Sequence, residues 1–303
     1  MNLKIKLFKS ILTNPLFLPS GIITDIPSHK KAVDAGVGLV VLKSITVEKR
    51  DGYPIPRVIN YPHGTLNAVG LRNPGIKIAK KEVKDFLIST NTPVVVSLFA
   101  NNAINFETLV SEIAPLKPTA IELNLSCPHV QNEFGKMVSS DTQTAGLFTK
   151  KTKKIALKIP IICKLSPNTS NIADVAKACE TAGADAIAAI NTVGPGMVID
   201  IKKRKPILGN LKGGVSGAGI KPIAIAKIYD VYEAVKIPIL GMGGVSSYED
   251  VIEMMLAGAT IVGIGSAIYI HGYSIYQKII KELENYLVTN NIKNIKSLIG
   301  AAH

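Results

Sequence analysis

Cysteine and tryptophan are scarce in this sequence, and their scarcity excludes several classes of protein. The three cysteines, Cys127, Cys163 and Cys179, are an odd number without metal-ligand spacing, so we expect neither a disulfide framework nor a metal site. There is no tryptophan, and aromatic residues make up only 5% of the chain, which leaves little material for stacking on nucleic-acid bases. We therefore expect no nucleic-acid partner.

Long apolar runs are also missing. The first ten residues do not form the apolar core of a signal peptide, and no later uncharged stretch reaches the roughly 18 apolar residues of a membrane span. We therefore expect a cytoplasmic protein without a membrane partner.

Negative charge is in deficit. Lysine and arginine number 35 against 22 aspartates and glutamates, which gives a formal net charge of +13. Such an excess suits a nucleic acid, an acidic protein partner or an anionic ligand. The lysines are scattered in small clusters, however, and those at 80–81 and between 150 and 154 are typical of solvated helix faces. The charge alone does not decide between these partners.

What the sequence does contain is a series of short apolar segments along the whole chain. Each is apolar throughout rather than alternating, which is the pattern of parallel strands buried on both faces. Helical patterns lie between most of them, for example at 106–113, 171–182 and 222–235. This alternation over 303 residues predicts an α/β fold, one (β/α)8 TIM barrel forming a single domain over 1–303, rather than two small domains. The eight predicted strands are 15–20, 38–43, 93–99, 120–125, 160–165, 184–191, 237–241 and 260–265.

Two connections are longer than a simple strand-to-helix crossover. The segment 45–75 is rich in proline, and the segment 193–216 is rich in glycine. Long connections inside a compact domain are usually functional. We predict that the first forms loops and hairpins over the C-terminal mouth of the barrel, where active sites of this fold lie, and that both act as functional lids.

Polar and glycine residues follow nearly every apolar segment, so they converge on one rim of the predicted barrel. Two glycine turns, 241–245 and 263–267, follow the last two strands, and the pattern at 246–249 predicts a capping box that opens a helix. Such turns let backbone N–H groups approach a phosphate. Lys164, at the end of the fifth strand, is expected over the barrel centre, where a fixed cation stabilises a reduced flavin. Cys163 is predicted to face away from the interior and to pack, as is Cys179 in its helix.

Several motifs together resemble those of dihydroorotate dehydrogenases. They occur in the family's order between Asn14 and Ala267, and the combination is more specific than any single motif. They are 43–49 (Lys-Ser-Ile-Thr-Val-Glu-Lys), 67–71 (Asn-Ala-Val-Gly-Leu) with Asn73, 124–128 (Asn-Leu-Ser-Cys-Pro), 164–167 (Lys-Leu-Ser-Pro), 191–192 (Asn-Thr) and 213–217 (Gly-Gly-Val-Ser-Gly). The resemblance implies a flavoprotein that oxidises dihydroorotate to orotate in pyrimidine biosynthesis, with FMN as cofactor.

The resemblance also implies roles for particular residues. Cys127 would be the general base that takes a proton from C5 of dihydroorotate while a hydride leaves C6 for FMN. A cysteine must be at least partly deprotonated to accept a proton. The residues implied to hold the substrate are Lys43, Asn67, Ala68, Val69, Gly70, Leu71, Asn124, Asn191 and Thr192. Those implied to hold FMN are Ser20, Lys43, Ser44, Asn124, Lys164, Ile190, Gly217, Gly243, Gly244, Gly265 and Ser266.

Two positions depart from the family's pattern. His129 stands where the family usually has asparagine after the loop proline, and it either donates a hydrogen bond or is a surface residue. Ser97 stands where an asparagine that contacts flavin is common. Each departure puts one polar contact of the family in question.

Within the family, cysteine rather than serine as base resembles the soluble class. Residues 133–136 (Glu-Phe-Gly-Lys) resemble class 1B catalytic subunits, which pair with an FAD and iron–sulfur protein, more than homodimers that reduce fumarate. The sequence has no G-x-G-x-x-G after an early strand and no cysteine cluster, so NAD or iron–sulfur chemistry would need another chain. We expect a homodimer of barrels with an FAD and iron–sulfur subunit, and keep the fumarate-dependent class as the alternative.

Two functions outside this family were weighed. A tRNA dihydrouridine synthase is also an FMN barrel with an asparagine-x-x-cysteine-proline loop, and the positive charge would suit RNA. It needs a C-terminal helical domain, whereas only residues 266–303 follow the eighth predicted strand. A phosphate-binding barrel without catalysis would leave Cys127, Lys43 and the asparagines unexplained.

Overall fold

Eight apolar segments form the parallel strands of a closed barrel in the computed structural model, which describes residues 2–126 and 141–303. Each predicted run overlaps one of these strands, and seven of the eight contain the whole strand, so the predicted (β/α)8 fold is confirmed. The strands, numbered along the chain, are β3 (Leu16–Leu18), β4 (Leu39–Val41), β7 (Val94–Leu98), β8 (Ala120–Asn124), β9 (Ile161–Lys164), β10 (Ala186–Ala189), β15 (Ile239–Met242) and β16 (Ile261–Gly263). All their side chains are buried, because barrel contents cover one face and helices the other. The last strand, β16, pairs with β3 and closes the ring.

Helices connect the barrel strands and cover the outside of the barrel. The three helices predicted at 106–113, 171–182 and 222–235 are confirmed. They are part of the set α1 (Ile26–Asp34), α2 (Ile76–Ser89), α3 (Ala103–Ile113), α4 (Thr142–Ile155), α5 (Ile172–Thr181), α6 (Lys221–Ala234), α7 (Tyr248–Leu256), α8 (Ile268–His271) and α9 (Ser274–Thr289). In α3, Phe106, Val110 and Ile113 recur at helical spacing and are fully buried. Among the helices of the described residues, none has the length and apolar character needed to cross a membrane.

The helix that follows the seventh barrel strand begins one residue later than the capping-box pattern at 246–249 predicted. Ser247, not Ser246, is the N-cap of α7, and its Oγ accepts a hydrogen bond from the Asp250 N–H at 3.3 Å. Asp250 completes the box by accepting from the Ser247 N–H at 3.0 Å. The prediction that Glu249 completes the capping box was wrong. Asp250 takes this place because it also binds Lys221 of α6, a residue distant in sequence, and this contact favours the helix start at Ser247.

The two faces of strand β9 have different neighbours. Cys163 Sγ lies 3.2 Å from Oγ1 of Thr149 on α4, so Cys163 packs against the helical layer as predicted. Because side chains alternate along a strand, Lys164 faces the barrel interior. Asn124 of β8 is the register partner of Lys164, which places these two polar residues side by side at the C-terminal rim. Cys179 is buried on α5, also as predicted.

The two long connections form one structure over the barrel mouth. Their strands pair as one four-stranded antiparallel sheet in the order β11 (Val193–Gly196), β14 (Gly213–Ser216), β6 (Gly64–Asn67) and β5 (Val58–Tyr61). The hairpin predicted in 45–75 is confirmed, and it is joined to the second connection. In this sheet, Gly214 pairs with Asn67. A Cβ at Gly214 would lie 2.0 Å from Thr192 Oγ1, so only glycine allows this close approach. The inserted strands are β5 (Val58–Tyr61), β6 (Gly64–Asn67), β11 (Val193–Gly196), β12 (Ile199–Asp200), β13 (Lys205–Pro206) and β14 (Gly213–Ser216).

A short antiparallel hairpin leads into the first barrel strand. It consists of β1 (Ile5–Leu7) and β2 (Ser10–Leu12). Ile5, Leu7 and Leu12 are fully buried and belong to the same hydrophobic core as the barrel strands. The hairpin therefore extends the core at the end of the barrel opposite the mouth.

Candidate active site

Two adjacent cavities open at the C-terminal ends of the barrel strands. The first, here called the glycine cavity, is lined by the turns after β15 and β16. The second, the asparagine cavity, is lined by residues 69–71 and by Asn67 and Asn124. The residues that line both cavities are Ser20, Gly21, Asn67, Lys164, Asn191 and Thr192.

The glycine cavity is built from backbone that only glycine adopts without strain. Gly243 and Gly244 have φ angles of +131° and +82°. A Cβ at Gly244 would lie 2.7 Å from the Cβ of Lys221 and 2.8 Å from its backbone nitrogen. Gly265 and Ser266 line the cavity from the neighbouring strand end. This region of a barrel, after its last two strands, is where phosphate groups commonly bind.

The helix that follows these turns, α7, carries a carboxylate, Asp250, in its first turn. Asp250 accepts hydrogen bonds from the N–H groups of Ser246 and Ser247 at 2.8 and 3.0 Å, and from Lys221 Nζ at 2.8 Å. Burial alone would raise the pKa of Asp250, but these donors outweigh it and the net pKa is lowered. Asp250 in turn raises the pKa of Lys221. The N–H groups of Ser246 and Ser247, directly before α7, are therefore occupied within the protein.

Lys164 stands at the junction of the two cavities. Its side chain is only 4% exposed, and Nζ donates to Ser20 Oγ at 3.0 Å. The Ser20 hydroxyl donates onward to the carboxylate of Glu122 at 2.7 Å. A fixed cation at the rim was expected, whereas the carboxylate behind it was not.

Asn124 is held on the rim by two serines. Its Nδ2 donates to Ser44 Oγ at 3.1 Å, and its Oδ1 accepts from the N–H of Ser126 at 3.2 Å. Ser44 Oγ lies 2.9 Å from Ser97 Oγ, so Ser97 contacts the cluster through a second hydroxyl. All four residues are buried. The departure from asparagine at Ser97 thus leaves a shorter side chain that supports Ser44.

Asn191 connects the end of β10 to the segment after β8. Its Nδ2 donates to Ser126 Oγ at 2.8 Å, and its Oδ1 accepts from the N–H of Thr192 at 2.7 Å. Asn168 donates to the carbonyl of Thr192 at 3.1 Å and so fixes that residue as well. Both ends of the Asn191 amide are therefore engaged, and Ser126, the residue before Cys127, is anchored on two sides.

The asparagine loop is also fixed by contacts within the protein. Asn67 donates from Nδ2 to the carbonyl of Gly214 at 3.3 Å, which ties it to the inserted sheet. Asn73 donates to the carbonyl of Leu71 at 2.7 Å and to Thr46 Oγ1 at 2.8 Å. These bonds hold the backbone of residues 69–71 at the edge of the asparagine cavity.

The structure brings most of the predicted site residues together. Gly217 and Ala68 line neither cavity: Gly217 follows Ser216 of the glycine cavity, and Ala68 packs in a separate apolar cluster with Leu66. Predicted residues in the glycine cavity are Ser20, Lys164, Ile190, Gly243, Gly244, Gly265 and Ser266, with Asn67, Asn191 and Thr192. Those in the asparagine cavity are Ser20, Lys43, Ser44, Asn67, Val69, Gly70, Leu71, Asn124, Lys164, Asn191 and Thr192. Cys127, His129 and residues 133–136 lie outside the described residues.

Sequence reasoning missed two carboxylates. Glu122 is buried inside the barrel, and Asp250 lies behind the glycine turns. Glu122 did leave a signal, since it is the one charged residue in the strand Ala120–Asn124 and stands two positions before Asn124, on the same face. Asp250 left no comparable signal, because acidic residues are common in the first turn of any helix.

Comparison with known proteins identifies a family for this chain. The family model for dihydroorotate dehydrogenase matches residues 2–287. The chain is 39% identical to the protein named dihydroorotate dehydrogenase B (NAD(+)), catalytic subunit, of Desulforamulus reducens, over 100% of this chain and 99% of the relative. It is 41% identical to the protein of that name from Pyrococcus furiosus, with the same coverage. For the one from Brachyspira hyodysenteriae the identity is 45%, over 88% of this chain and 87% of the relative. The chain therefore belongs to the dihydroorotate dehydrogenase family.

Proposed function

We propose that this chain is the FMN-binding catalytic subunit of a class 1B dihydroorotate dehydrogenase, which oxidises dihydroorotate to orotate in pyrimidine biosynthesis. The observation that supports this most is the junction of the two cavities at a buried lysine. One cavity offers glycine turns suited to a phosphate, the other an amide-rich pocket, and Lys164 lines both. Such a junction lets a flavin and a pyrimidine meet at one place. The family match over residues 2–287 favours this function over RNA modification or a non-catalytic barrel.

The residues present fit FMN. The backbone at Gly243 and Gly244 leaves no room for side chains, which is suited to a phosphate held by N–H groups. Lys164 provides a buried cation in the lining of the same cavity. When bound, FMN would accept the hydride that leaves C6 of the substrate. The chain's part is to hold the phosphate at the glycine turns and to supply positive charge at Lys164 for the reduced ring.

The asparagine cavity fits the pyrimidine. Orotate presents carbonyl acceptors, N–H donors and a carboxylate, and an amide side chain offers both a donor and an acceptor. Asn67 and Asn124, with the backbone of residues 69–71, line this cavity and are fixed by hydrogen bonds. Lys43 lines it too and would bind the carboxylate. In the structure Asn191 bonds Ser126, so substrate contact by its amide would share or exchange that bond.

Cys127 is proposed as the base. It follows Ser126, whose hydroxyl is bonded to Asn191 and whose N–H is bonded to Asn124. These contacts tie the residue directly before the cysteine to two asparagines that line the asparagine cavity. The base would remove the C5 proton from one side of the substrate ring while the hydride leaves on the other.

We further propose that electrons leave to a separate FAD and iron–sulfur subunit, with two barrels pairing as a homodimer. The relatives are named as catalytic subunits of an NAD(+)-dependent form, which implies such a division of labour. The sequence itself has no dinucleotide fingerprint and no cysteine cluster for these groups.

The flavin released from the purified chain is expected to be FMN rather than FAD. Gly244→Ala should reduce the FMN content strongly, because the added Cβ would collide with Lys221 beside the phosphate turn. Gly272→Ala is the matched control: Gly272 also has positive φ, +68°, but no atom lies within 4 Å of its added Cβ. Chromatography of the heat-released flavin identifies it. Release of FAD, or equal flavin content in the two variants, would contradict the assignment.

The isolated chain is expected to reduce the dye dichlorophenolindophenol with dihydroorotate but not to reduce NAD. Electrons from reduced FMN have no second carrier in this sequence, whereas a small dye can reach the flavin from solution. Stopped-flow measurement of NADH formation tests this, with the chain co-expressed with its redox subunit as the control. Rapid NADH formation by the barrel alone would refute the two-subunit proposal. Efficient turnover with fumarate would favour the homodimeric class instead.

A further inference from the structure

Glu122 is a carboxylate sealed inside the barrel that neither the phosphate site nor the pyrimidine site uses. It lies in β8 with 1% of its side chain exposed. Its strand neighbour Leu123 is the register partner of Cys163, which faces the helices, so Glu122 faces the interior. Asn124, two residues on, lies one layer nearer the mouth. A carboxylate in such a place is costly unless it is paired.

The hydrogen bonds around Glu122 have only one possible direction. The ammonium of Lys164 has protons but no lone pair, so Ser20 Oγ must accept from it at 3.0 Å. The single hydroxyl proton of Ser20 is then available for Glu122 Oε1, 2.7 Å away. The result is a directed chain from the ammonium through a hydroxyl to a carboxylate, with all three groups buried. In a chain of this kind each bond polarises the next.

We propose that Glu122 is a positioning residue that holds the Lys164 ammonium through Ser20 and offsets part of its charge, and so sets the reduction potential of the flavin. The proposal rests on the proposed function, since it takes Lys164 to lie beside a bound flavin. It adds that Glu122 limits the net positive charge that Lys164 places beside the flavin. An uncompensated lysine would favour the reduced, negatively charged flavin more strongly and make it a weaker donor to the next carrier.

The experiment is Glu122→Gln, which keeps the size of the side chain and an acceptor for Ser20 but removes the charge. The effective dielectric constant of a protein interior is lower than that of water, so removal of the Glu122 charge appreciably changes the electrostatic energy of neighbouring charged groups. We expect the ratio of affinities for reduced and oxidised FMN to rise about tenfold, which corresponds to a potential about 30 mV more positive for a two-electron couple. Spectroelectrochemical titration of the FMN-loaded chain measures this without turnover.

Glu112→Gln is the matched control. Glu112 lies on α3, its side chain is 43% exposed, and it pairs with Lys80 at the surface. The Glu112→Gln substitution removes the same charge, but outside the barrel, so the reduction potential of the flavin should not change. Glu122→Asp is the second variant in case the glutamine variant does not fold. It retains the charge but is one methylene shorter, so the bond to Ser20 is lost and a smaller shift in the same direction is expected.

The possible outcomes distinguish a failure of the Glu122 proposal from a failure of the proposed function. If the wild-type chain takes up FMN and the potential of the Glu122 variants is unchanged or more negative, the positioning role is refuted and the proposed function stands. If the wild-type chain takes up no FMN, both fail. A more positive potential in Glu122→Gln with an unchanged potential in Glu112→Gln supports the inference.

Discussion

Replacement of Cys127 by alanine is expected to leave FMN bound and to slow its reduction by dihydroorotate by about 100- to 10,000-fold, the usual loss when a general base is removed. Binding should persist because the phosphate turns and Lys164 are built from other strands. Anaerobic stopped-flow bleaching of the flavin measures the reductive step alone. Cys127→Ser should retain weak activity that rises at alkaline pH, because a hydroxyl is a poorer base than a thiol.

Cys163→Ala provides the matched control for this result. Cys163 is buried against Thr149 on the helical side of β9, away from both cavities. Its replacement should leave the rate of flavin reduction unchanged within a small factor. A wild-type rate in Cys127→Ala would show that Cys127 has a structural role only.

Replacement of Lys164 by alanine is expected to slow flavin reduction by about 100- to 1,000-fold or to weaken FMN binding, as loss of a preorganised charge-stabilising group typically does. The variant would also leave the Glu122 carboxylate buried without its cation, which costs about 3–5 kcal/mol of stability. The double variant Lys164→Ala with Glu122→Gln removes that carboxylate charge. It should recover thermal stability without recovering flavin reduction.

Lys203→Ala is the control for charge as such. The Lys203 side chain is 81% exposed on the inserted hairpin, and its only ion pair in the described part of the chain is a 4.0 Å contact with Asp200. Flavin content and reduction rate should match those of the wild type. Equal losses in the Lys164 and Lys203 variants would mean that net positive charge, not the place of Lys164, matters.

The barrel could be predicted from sequence because its signal is local. Runs such as 93–99 and 160–165 are short and largely apolar without alternation, which is typical of strands buried on both faces. The rim residues followed from the same pattern, since the end of each run marks the edge of the barrel. The inward position of Lys164 and the outward position of Cys163 needed only the two-residue period of a strand.

The errors and omissions arose where a distant contact decides between local alternatives. The residues at 246–249 and the observed capping box, Ser247 with Asp250, match the capping-box pattern about equally well. Lys221, from the preceding helix, binds Asp250 and selects the second. Ala68 lies within a predicted substrate motif, and its side chain packs with Leu66 and Leu208 in a separate apolar cluster, while its role in binding stays a prediction. Neither choice is visible in a window of a few residues.

By itself the sequence determined the (β/α)8 barrel, the rim on which polar residues converge, and the family to which the chain belongs. These three conclusions depend on the type and order of residues, because local steric preferences and burial determine which segments form strands and which form helices. Only the tertiary structure decided which rim residues meet. It joined the two insertions in one sheet, turned the Asn191 amide onto Ser126, and placed Ser20, from the first barrel strand's end, between Lys164 and Glu122. Ser20 and Glu122 are 102 residues apart, and only closure of the barrel brings them within hydrogen-bond distance.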